Sequence, residues 1–332
     1  MFRYIVRRIL ISVPILVVAT FLCFALVTAM GDPLGEWKTA KPRTNQEIST
    51  EEALVGYNQP FFERYGHWAV NFVQGDWNRN VVPGDNNQPV RPQLMTALWV
   101  TVRLVLFAEL LAIVIGILIG VVSAVRQYSI FDYTVTGVAF VLFSMPLFCI
   151  AIMLKALAIP LNNWLESIGF GRWLTTAGEP SGGYSGGLWH HVYQFTGVYV
   201  LPVLCLLAIE FALYSRFQRG SMLDVMNSDY VRTAQAKGLS QARVIFRHAF
   251  RNALIPVVTV SALQIGGAFS GAIITERVFD WRGMGTLIVQ AVQGVEPWMV
   301  LAWLVITAVF IIVFNLIADV LYAFLDPRIR LD

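Results

Sequence analysis

The sequence predicts an all-α membrane protein with six transmembrane helices. Of its 332 residues, 57% are hydrophobic and 14% are charged, with a mean hydropathy of +0.63, whereas soluble domains contain about 25% charged residues. A helix needs about 20 apolar residues to cross a hydrocarbon core. Six runs meet that length, at roughly 9–30, 95–125, 133–157, 195–214, 254–275 and 298–325.

The distribution of Lys and Arg predicts that both termini lie in the cytoplasm. In that orientation thirteen basic residues lie on the cytoplasmic face and nine outside, and six of those nine fall in one long loop. Cytoplasmic loops carry the excess of Lys and Arg, and long loops contribute little to this bias. The first apolar run, about 20 residues, exceeds the apolar region of a cleaved signal peptide. We therefore expect a retained anchor.

The chain divides into four segments at the span boundaries. We expect an N-terminal tail and first span over 1–30, an extracytoplasmic loop over 31–94, a five-helix core over 95–325, and a cytoplasmic tail over 326–332. The core includes a basic cytoplasmic loop over 216–253.

The outer connections are predicted to contain short helices. In the first outer loop, residues 61–73 have the pattern of an amphipathic interfacial helix, ended by Gly75. The second outer loop, about 160–194, contains two glycine pairs and is predicted to be irregular and mobile. Residues 286–295 are apolar but too few to cross, so we expect a short helix along the outer face.

Small residues and prolines mark positions within the spans. Gly116, Gly120 and Ala124 recur every four residues, which predicts close approach of another helix. Pro14, Pro146 and Pro202 interrupt spans, which is tolerated where neighbouring helices satisfy the freed carbonyl groups.

The motifs of several enzyme classes are absent from the sequence. The chain contains no phosphate-binding Gly-x-x-x-x-Gly-Lys, no His-Glu-x-x-His, no Gly-x-Ser-x-Gly and no Cys-x-x-Cys. Its three cysteines fall within predicted spans, with no metal-ligand spacing. We expect no catalytic, metal or cofactor site. The alternative, an intramembrane enzyme using Glu109 or Glu210 with an outer-loop histidine, lacks a paired nucleophile and base.

Polar residues within the spans are candidates for a translocation path. Glu109 lies deepest, and it is interpreted either as a hydrogen-bonded carboxyl at a helix contact or as part of a polar path. Arg103 and Lys155 lie near span ends, where long side chains reach the interface. The further path candidates, each equally explained by hydrogen bonds between helices, are Ser144, Thr259, Ser261, Gln264 and Ser270.

The basic cytoplasmic loop has the pattern of two helices separated by a glycine. An apolar strip beside Arg232 and Lys237 predicts a docked helix over 221–237, and Gly238 suits its left-handed stop. Ser240 is a candidate N-cap for a second helix, 241–253, which carries a basic row at i, i+4 and i+8. On spacing alone, a solvated hairpin explains the loop equally well.

This loop resembles the cytoplasmic coupling loop of peptide-class permeases of bacterial ABC importers. The resemblance rests on Tyr230-Val231-Arg232-Thr233-Ala234-x-Ala236-Lys237-Gly238-Leu239 and on Arg247-His248-Ala249-x-Arg251-Asn252-Ala253-Leu254-Ile255-Pro256. Further resemblance to the B-type permease of oligopeptide and dipeptide importers lies in residues 1–8, 31–33, 75–77 and 325–330, and in Glu276-x-x-Phe279 with Gly283-x-Gly285.

The resemblance implies a type I importer permease in the bacterial inner membrane. Such a chain forms half of a channel with a homologous second permease, receives peptides from an extracytoplasmic binding protein, and is driven by two ATP-binding subunits. ATP and Mg would bind those subunits, and the partners include membrane lipid but no nucleic acid. The same class also carries nickel or glutathione, which remain alternative cargos.

The resemblance also implies roles for particular residues. The ATPase-coupling residues are Tyr230, Val231, Arg232, Thr233, Ala234, Ala236, Lys237, Gly238 and Leu239, and an outer gate or turn comprises Glu276, Phe279, Gly283 and Gly285. Two positions depart from the family pattern. Arg232-Thr233-Ala234 stands where the wider importer pattern begins Glu-Ala-Ala, so a carboxylate contact to the ATPase is not expected, and Arg282 stands where proline is frequent.

Overall fold

The computed structural model describes residues 2–29, 31–42, 44–81, 88–178 and 188–325, most of which are helical. The helices are α1 (Phe2–Ala29), α2 (Gly35–Ala40), α3 (Asn45–Val55), α4 (Phe61–Gln74), α5 (Val90–Val125), α6 (Ile130–Ser144), α7 (Leu147–Ser167), α8 (Leu188–Met226), α9 (Asp229–Ala236), α10 (Gln241–Arg243), α11 (Phe250–Val278), α12 (Met284–Gln293) and α13 (Pro297–Leu325). A π-helical turn, Val244–Ala249, joins α10 to α11. The predicted all-α class is confirmed.

Six helical stretches in the described ranges are long and apolar enough to cross a membrane, which confirms the predicted number of spans. They are Val6–Ala29, Val90–Val125, Leu147–Ser167, Trp189–Met226, Gln241–Ala268 and Pro297–Leu321. The predicted C-terminal tail, 326–332, lies outside the described residues.

The third predicted span, 133–157, has the wrong boundaries. The chain breaks at Met145 and Pro146, so α6 ends at Ser144 and α7 is the helix of membrane-crossing length. Met145 is extended, with φ −83° and ψ 134°, because the ring of a following proline disfavours helical geometry. Pro14 and Pro202, in contrast, lie inside continuous helices.

The described residues form two compact units. One, here called the core unit, contains 102–281 and 313–325, and the other, the outer-loop unit, contains 2–101 and 282–312. The outer-loop unit therefore combines the first span with the first outer loop. The sequence predicts these two parts as separate segments, 1–30 and 31–94.

In the core unit, α5 packs against α8 at two glycines. A Cβ atom built on Gly116 would lie 2.6 Å from Tyr214 Cβ, and one built on Gly120 would lie 2.7 Å from Ser215 O and from Gln218 Cβ. No real side chain tolerates such distances, so only glycine permits this separation of the two helices. The predicted close approach of another helix is confirmed.

The second outer connection is shorter than predicted, and the first part of it, residues 168–178, makes hydrogen bonds to neighbouring helices. Helix α7 continues through Pro160 to Ser167, so the loop does not begin at 160. The amide of Asn162 donates to Leu174 O (2.7 Å) and its oxygen accepts from Leu174 N (2.9 Å), while Thr175 N donates to Gly197 O (3.0 Å). These bonds hold Leu174 against α7 and Thr175 against α8. The two glycine pairs lie outside the described residues.

In the outer-loop unit, the predicted amphipathic helix is α4. It ends where predicted, at Gly75, which adopts the left-handed conformation with φ 94°. Its aromatic face packs on α1: Phe24 contacts the rings of Phe61 and Tyr65, with centroids 5.3 and 5.4 Å apart. Tyr65 Oη also lies 3.0 Å from Thr20 Oγ1. Helix α4 therefore covers the first span rather than lying apart from it.

The first half of the outer loop contains two helices that were not predicted. Helix α3 begins with a capping box, in which Glu47 N donates to Thr44 Oγ1 and Thr44 N donates to Glu47 Oε2. Lys38 in α2 donates to Asp32 (2.6 Å) and Glu52 (2.7 Å), and these two hydrogen bonds raise the pKa of its ammonium group. The Thr-x-x-Glu spacing is the signal that predicts the start of α3.

Candidate functional site

The segment that resembles a coupling loop forms the short helix α9 and the turn after it. Helix α9 begins after Ser228 and ends at Ala236. Gly238 then adopts a left-handed conformation with φ 75°, which glycine reaches without the steric cost that other residues pay. The predicted stop at Gly238 is thus present.

Helix α9 has one buried and one exposed face. Val231 and Ala234 are buried with Val244, and Val225 and Leu239 pack against them. Most of the other residues predicted to contact an ATPase are exposed: Tyr230, Arg232, Thr233, Ala236, Lys237 and Gly238. The buried pair fixes the helix to the core unit, while the polar face is open to another molecule.

The predicted helix over 221–237 is wrong in its continuity. Helix α8 extends from the fourth span to Met226, and α9 starts only at Asp229. Asn227 and Ser228 donate their side-chain hydrogen bonds to the carbonyl groups of Leu223 and Val225. Such short polar side chains compete with helical hydrogen bonds, which explains the break.

The second predicted helix, 241–253, is helical but not separate. It consists of α10, the π-helical turn and the start of α11, and it continues into the fifth span. Ser240 occupies the N-cap position, yet its side chain makes no capping hydrogen bond. The basic row of Arg243, Arg247 and Arg251 is exposed.

Apolar packing connects this second part of the loop to two spans. Ile245, Ala249 and Ala253 are buried against Val121 and Ala124 of α5 and Met222 of α8. Asn252 Nδ2 also donates to Tyr230 Oη, at 2.9 Å, which links α11 to α9. The second part of the loop is therefore in direct contact with α5, α8 and α9.

An ion pair that the sequence reasoning missed lies in the core unit. Arg219 of α8 donates from Nε and Nη2 to the two carboxylate oxygens of Asp132, each at 2.7 Å. Ser123 Oγ and Tyr128 N also donate to this carboxylate, whose residue is 2% exposed. Asp132 and Arg219 are 87 residues apart, so no local spacing pattern indicates their pairing.

Glu109, the deepest path candidate, is buried at a contact between α5 and α8. It is 2% exposed and accepts a hydrogen bond from Tyr214 Oη. Glu210 and Tyr214 share these surroundings, with Gln264 beside Glu210. Of the two interpretations of Glu109, this geometry favours a hydrogen-bonded carboxyl at a helix contact.

Two of the other path candidates join this cluster, since Ser261 hydrogen-bonds Tyr214 and Gln264 hydrogen-bonds Glu210. Ser144 is exposed and donates to Phe140 O within its own helix, while Thr259 and Ser261 donate to Ile255 O and Val257 O. Gln264 is half-buried. Ser270 is in α11, but its side chain lies outside the described residues.

The predicted outer-turn residues follow the end of the fifth span. Glu276 and Phe279 are buried, and Trp281 N donates to Glu276 O at 2.7 Å. Lys155 Nζ donates to Val278 O at 2.9 Å, so this cation satisfies a carbonyl at the C-terminus of α11. Gly283 is the N-cap residue of α12, and Gly285 is buried in its first turn.

Comparison with known proteins gives two family matches along the chain. Residues 116–331 match the family described as binding-protein-dependent transport system inner membrane component, and residues 1–90 match the family of the N-terminal part of such membrane components. Together these matches cover the coupling segment, the outer turn and the first outer loop.

Several curated proteins are similar over their full length. The oligopeptide transport system permease protein OppB of Mycobacterium tuberculosis is 34% identical over 335 residues, covering 100% of both chains. AppB of Bacillus subtilis, also an oligopeptide transport system permease protein, is 36% identical, with 99% of this chain and 100% of the relative covered. The dipeptide transport system permease protein DppB of Escherichia coli is 33% identical, with 99% of each covered.

Proposed function

Because this chain belongs to the family of binding-protein-dependent transport system inner membrane components, we propose that it is a peptide permease of an ATP-driven importer. Relatives covering the whole chain are named oligopeptide or dipeptide permeases. In this proposal the chain passes peptides from an extracytoplasmic binding protein to the cytoplasm, beside a homologous second permease. It hydrolyses no ATP itself, since two partner subunits bind ATP and Mg.

The observation that carries the proposed coupling role is the two-faced helix α9. Its buried Val231 and Ala234 attach it to the core unit, while Tyr230, Arg232 and Lys237 are exposed. An amphipathic helix of this kind is held by its apolar face and leaves its polar face free to contact a partner. We assign the exposed face to a groove on the ATP-binding subunit.

The proposed mechanism requires α9 to make different contacts in two states of the importer. A ligand biases a conformational equilibrium only by its differential affinity for the two states. Closure of the ATP-binding subunits would displace α9, and the contacts of Val231 and Ala234 with Val244 would move α10 and α11 with it. The basic Arg232 indicates that the partner groove offers acidic or carbonyl groups at this position.

Substitution of Gly238 tests whether the turn after α9 is needed for coupling. No atom lies within 4 Å of a Cβ built there, so Gly238→Val acts through the backbone, where a left-handed β-branched residue costs on the order of 1–2 kcal/mol. We expect the variant to insert and assemble, with ATP hydrolysis retained and uptake lost. The matched control is Gly238→Asn, since asparagine adopts this conformation more readily. Normal uptake by Gly238→Val would contradict the coupling role.

Charge reversal at Arg232 tests the docking face itself. The Arg232 side chain is 69% exposed and its ion pair with Asp229 is long, at 4.0 Å, so Arg232→Glu leaves folding nearly unchanged. We expect uptake of labelled tri-alanine by proteoliposomes containing all subunits to fall at least about tenfold. Arg126→Glu, at another exposed residue on the predicted cytoplasmic face, is the control. An equal loss in both variants would refute a specific contact at Arg232.

A further inference from the structure

A pocket of about 440 Å³ lies within the outer-loop unit. Its walls come from α3, α4, the segment after α4 and Trp298, and six of the lining residues are Glu51, Arg64, His67, Trp68, Asn71 and Asp76. The volume lies within the range of small-molecule sites, about 300–1,000 Å³. Unlike an ordinary apolar cavity, this one is lined by several charged and amide side chains.

Arg64 is a buried cation with few protein partners. It is 7% exposed, and its guanidinium donates from Nη2 to Thr28 Oγ1, at 3.1 Å. Among the described residues it forms no ion pair, and its Nε has no hydrogen-bond partner. Buried charges are normally paired, so the guanidinium has capacity for an anionic group.

Aromatic rings hold this guanidinium in place without neutralising it. The Tyr57 ring centroid lies 4.2 Å from Arg64 Cζ and that of Phe24 lies 5.4 Å away. Burial raises the pKa of Tyr57 to about 12, so the phenol stays neutral at physiological pH. The rings contribute cation–π attraction but no counter-charge.

A second unpartnered donor lies one helical turn from Arg64. Trp68 is 3% exposed and its indole Nε1 has no hydrogen-bond partner, although a buried indole N–H usually finds one. Residues four apart share a helix face, and both side chains line the same pocket. Two neighbouring side chains of the α4 wall therefore have N–H groups without a protein acceptor.

Carboxylates lie elsewhere on the pocket wall. Glu51 of α3 and Asp76, after the end of α4, both line it. Asp76 Oδ1 accepts a hydrogen bond from Asn78 N at 3.1 Å, which leaves its other oxygen for a ligand. The pocket is thus lined by Arg64 on α4, by Glu51 on α3, and by both Asp76 and Arg79 in the segment after α4. Groups of both signs are therefore available to the two charged ends of a zwitterion.

We propose that this pocket binds a short peptide on the extracytoplasmic side, with the peptide's C-terminal carboxylate at Arg64 and its ammonium group toward Glu51 or Asp76. The inference rests on the proposed function, because that function supplies peptides as cargo. Planar guanidinium and carboxylate groups form strong charge-assisted hydrogen bonds. Such a site would retain peptide on the permease itself, distinct from the coupling face at α9.

The test measures binding of tri-alanine and of tri-alanine amide to the purified complete transporter, without ATP and without binding protein, by isothermal titration calorimetry. We expect the amide to bind at least about tenfold more weakly, since hydrogen bonds to charged groups are the stronger ones. In Arg64→Gln the affinity for tri-alanine should fall by a similar factor, and the affinities for tri-alanine and its amide should become equal. Trp68→Phe, which removes the indole N–H, should lower the affinity for tri-alanine and for its amide a few-fold.

Arg91→Gln is the matched control, because Arg91 is an exposed cation of the same unit that does not line the pocket. Equal binding of acid and amide by the unmodified transporter would overturn the proposal without depending on how any variant folds. Acetate competing as well as tri-alanine would overturn the assignment to a peptide. Equal losses in Arg91→Gln and Arg64→Gln would overturn the role of Arg64.

Uptake measurements separate this inference from the proposed function. If tri-alanine is transported with ATP but does not bind the transporter alone, the pocket assignment fails and the peptide permease stands. If tri-alanine binds with the expected dependence on Arg64 but no peptide is transported, the proposed function fails.

Discussion

At Gly116 and Gly120 the absence of a side chain determines how closely two helices approach. A Cβ atom at these positions would collide with Tyr214 Cβ and Ser215 O of α8, so no larger residue fits without separating the helices. Helix α8 continues from this contact to Met226, three residues before the start of α9. These two glycines therefore set the distance between α5 and α8.

Enlarging one of these glycines should destabilise the protein. We expect Gly120→Val to cost about 1–3 kcal/mol through overpacking and to lower the Tm of the purified transporter in detergent. Gly137→Val is the control, because a Cβ on this helical glycine meets no atom within 4 Å. Equal Tm values for the two variants would show that α5 and α8 are not in tight contact.

The Asp132–Arg219 pair should respond asymmetrically to removal of either partner. Removing one member of a buried pair typically costs about 3–5 kcal/mol. Arg219→Gln leaves the carboxylate of Asp132, 2% exposed, without its cation, whereas Asp132→Asn leaves a guanidinium that is 27% exposed and reaches water. We therefore expect the larger fall in Tm for Arg219→Gln. A larger fall for Asp132→Asn would contradict this account.

At the scale of elements, proline and short polar residues set where helices end. Pro146 separates α6 from α7, and Asn227 with Ser228 separates α8 from α9. Hydropathy does not detect either break, since the residues on both sides remain apolar or helix-compatible. The predicted third span and the predicted helix over 221–237 were wrong for this reason.

Helix α3 depends on its cap, because it is short and largely polar. Thr44→Ala removes the acceptor for Glu47 N and should cost about 1 kcal/mol, so amide hydrogen exchange in 45–55 should accelerate roughly fivefold. Thr50→Ala, an exposed mid-helix position, is the control and should not accelerate exchange. Unchanged exchange in Thr44→Ala would show that other contacts hold α3.

At the scale of the whole molecule, the charge distribution predicts which face α9 occupies. In the predicted orientation with cytoplasmic termini, the segment containing α9 faces the cytoplasm and the first outer loop faces the outside. Both the proposed docking to ATP-binding subunits and the proposed peptide site depend on that orientation.

Cysteine labelling tests the orientation. In a variant without native cysteines, Ser49→Cys should react with a membrane-impermeant maleimide added to intact cells, and Gln235→Cys should react only after permeabilisation. Both positions are exposed, so accessibility within the protein does not limit the reaction. Labelling of Gln235→Cys in intact cells would show that α9 lies outside the cell, which would exclude the proposed coupling role.

The sequence by itself determined the all-α class, the number of spans, the glycine contact on α5 and the stop at Gly238. These features depend on hydropathy summed over about 20 residues or on short-range backbone chemistry, both of which are local. Only the tertiary structure decided that Asp132 pairs with Arg219, that Glu109 meets Tyr214, and that Arg64 and Glu51 line one pocket. The partners in these contacts are distant along the chain, and a hydrogen bond or ion pair leaves no periodic trace in the sequence that encodes it.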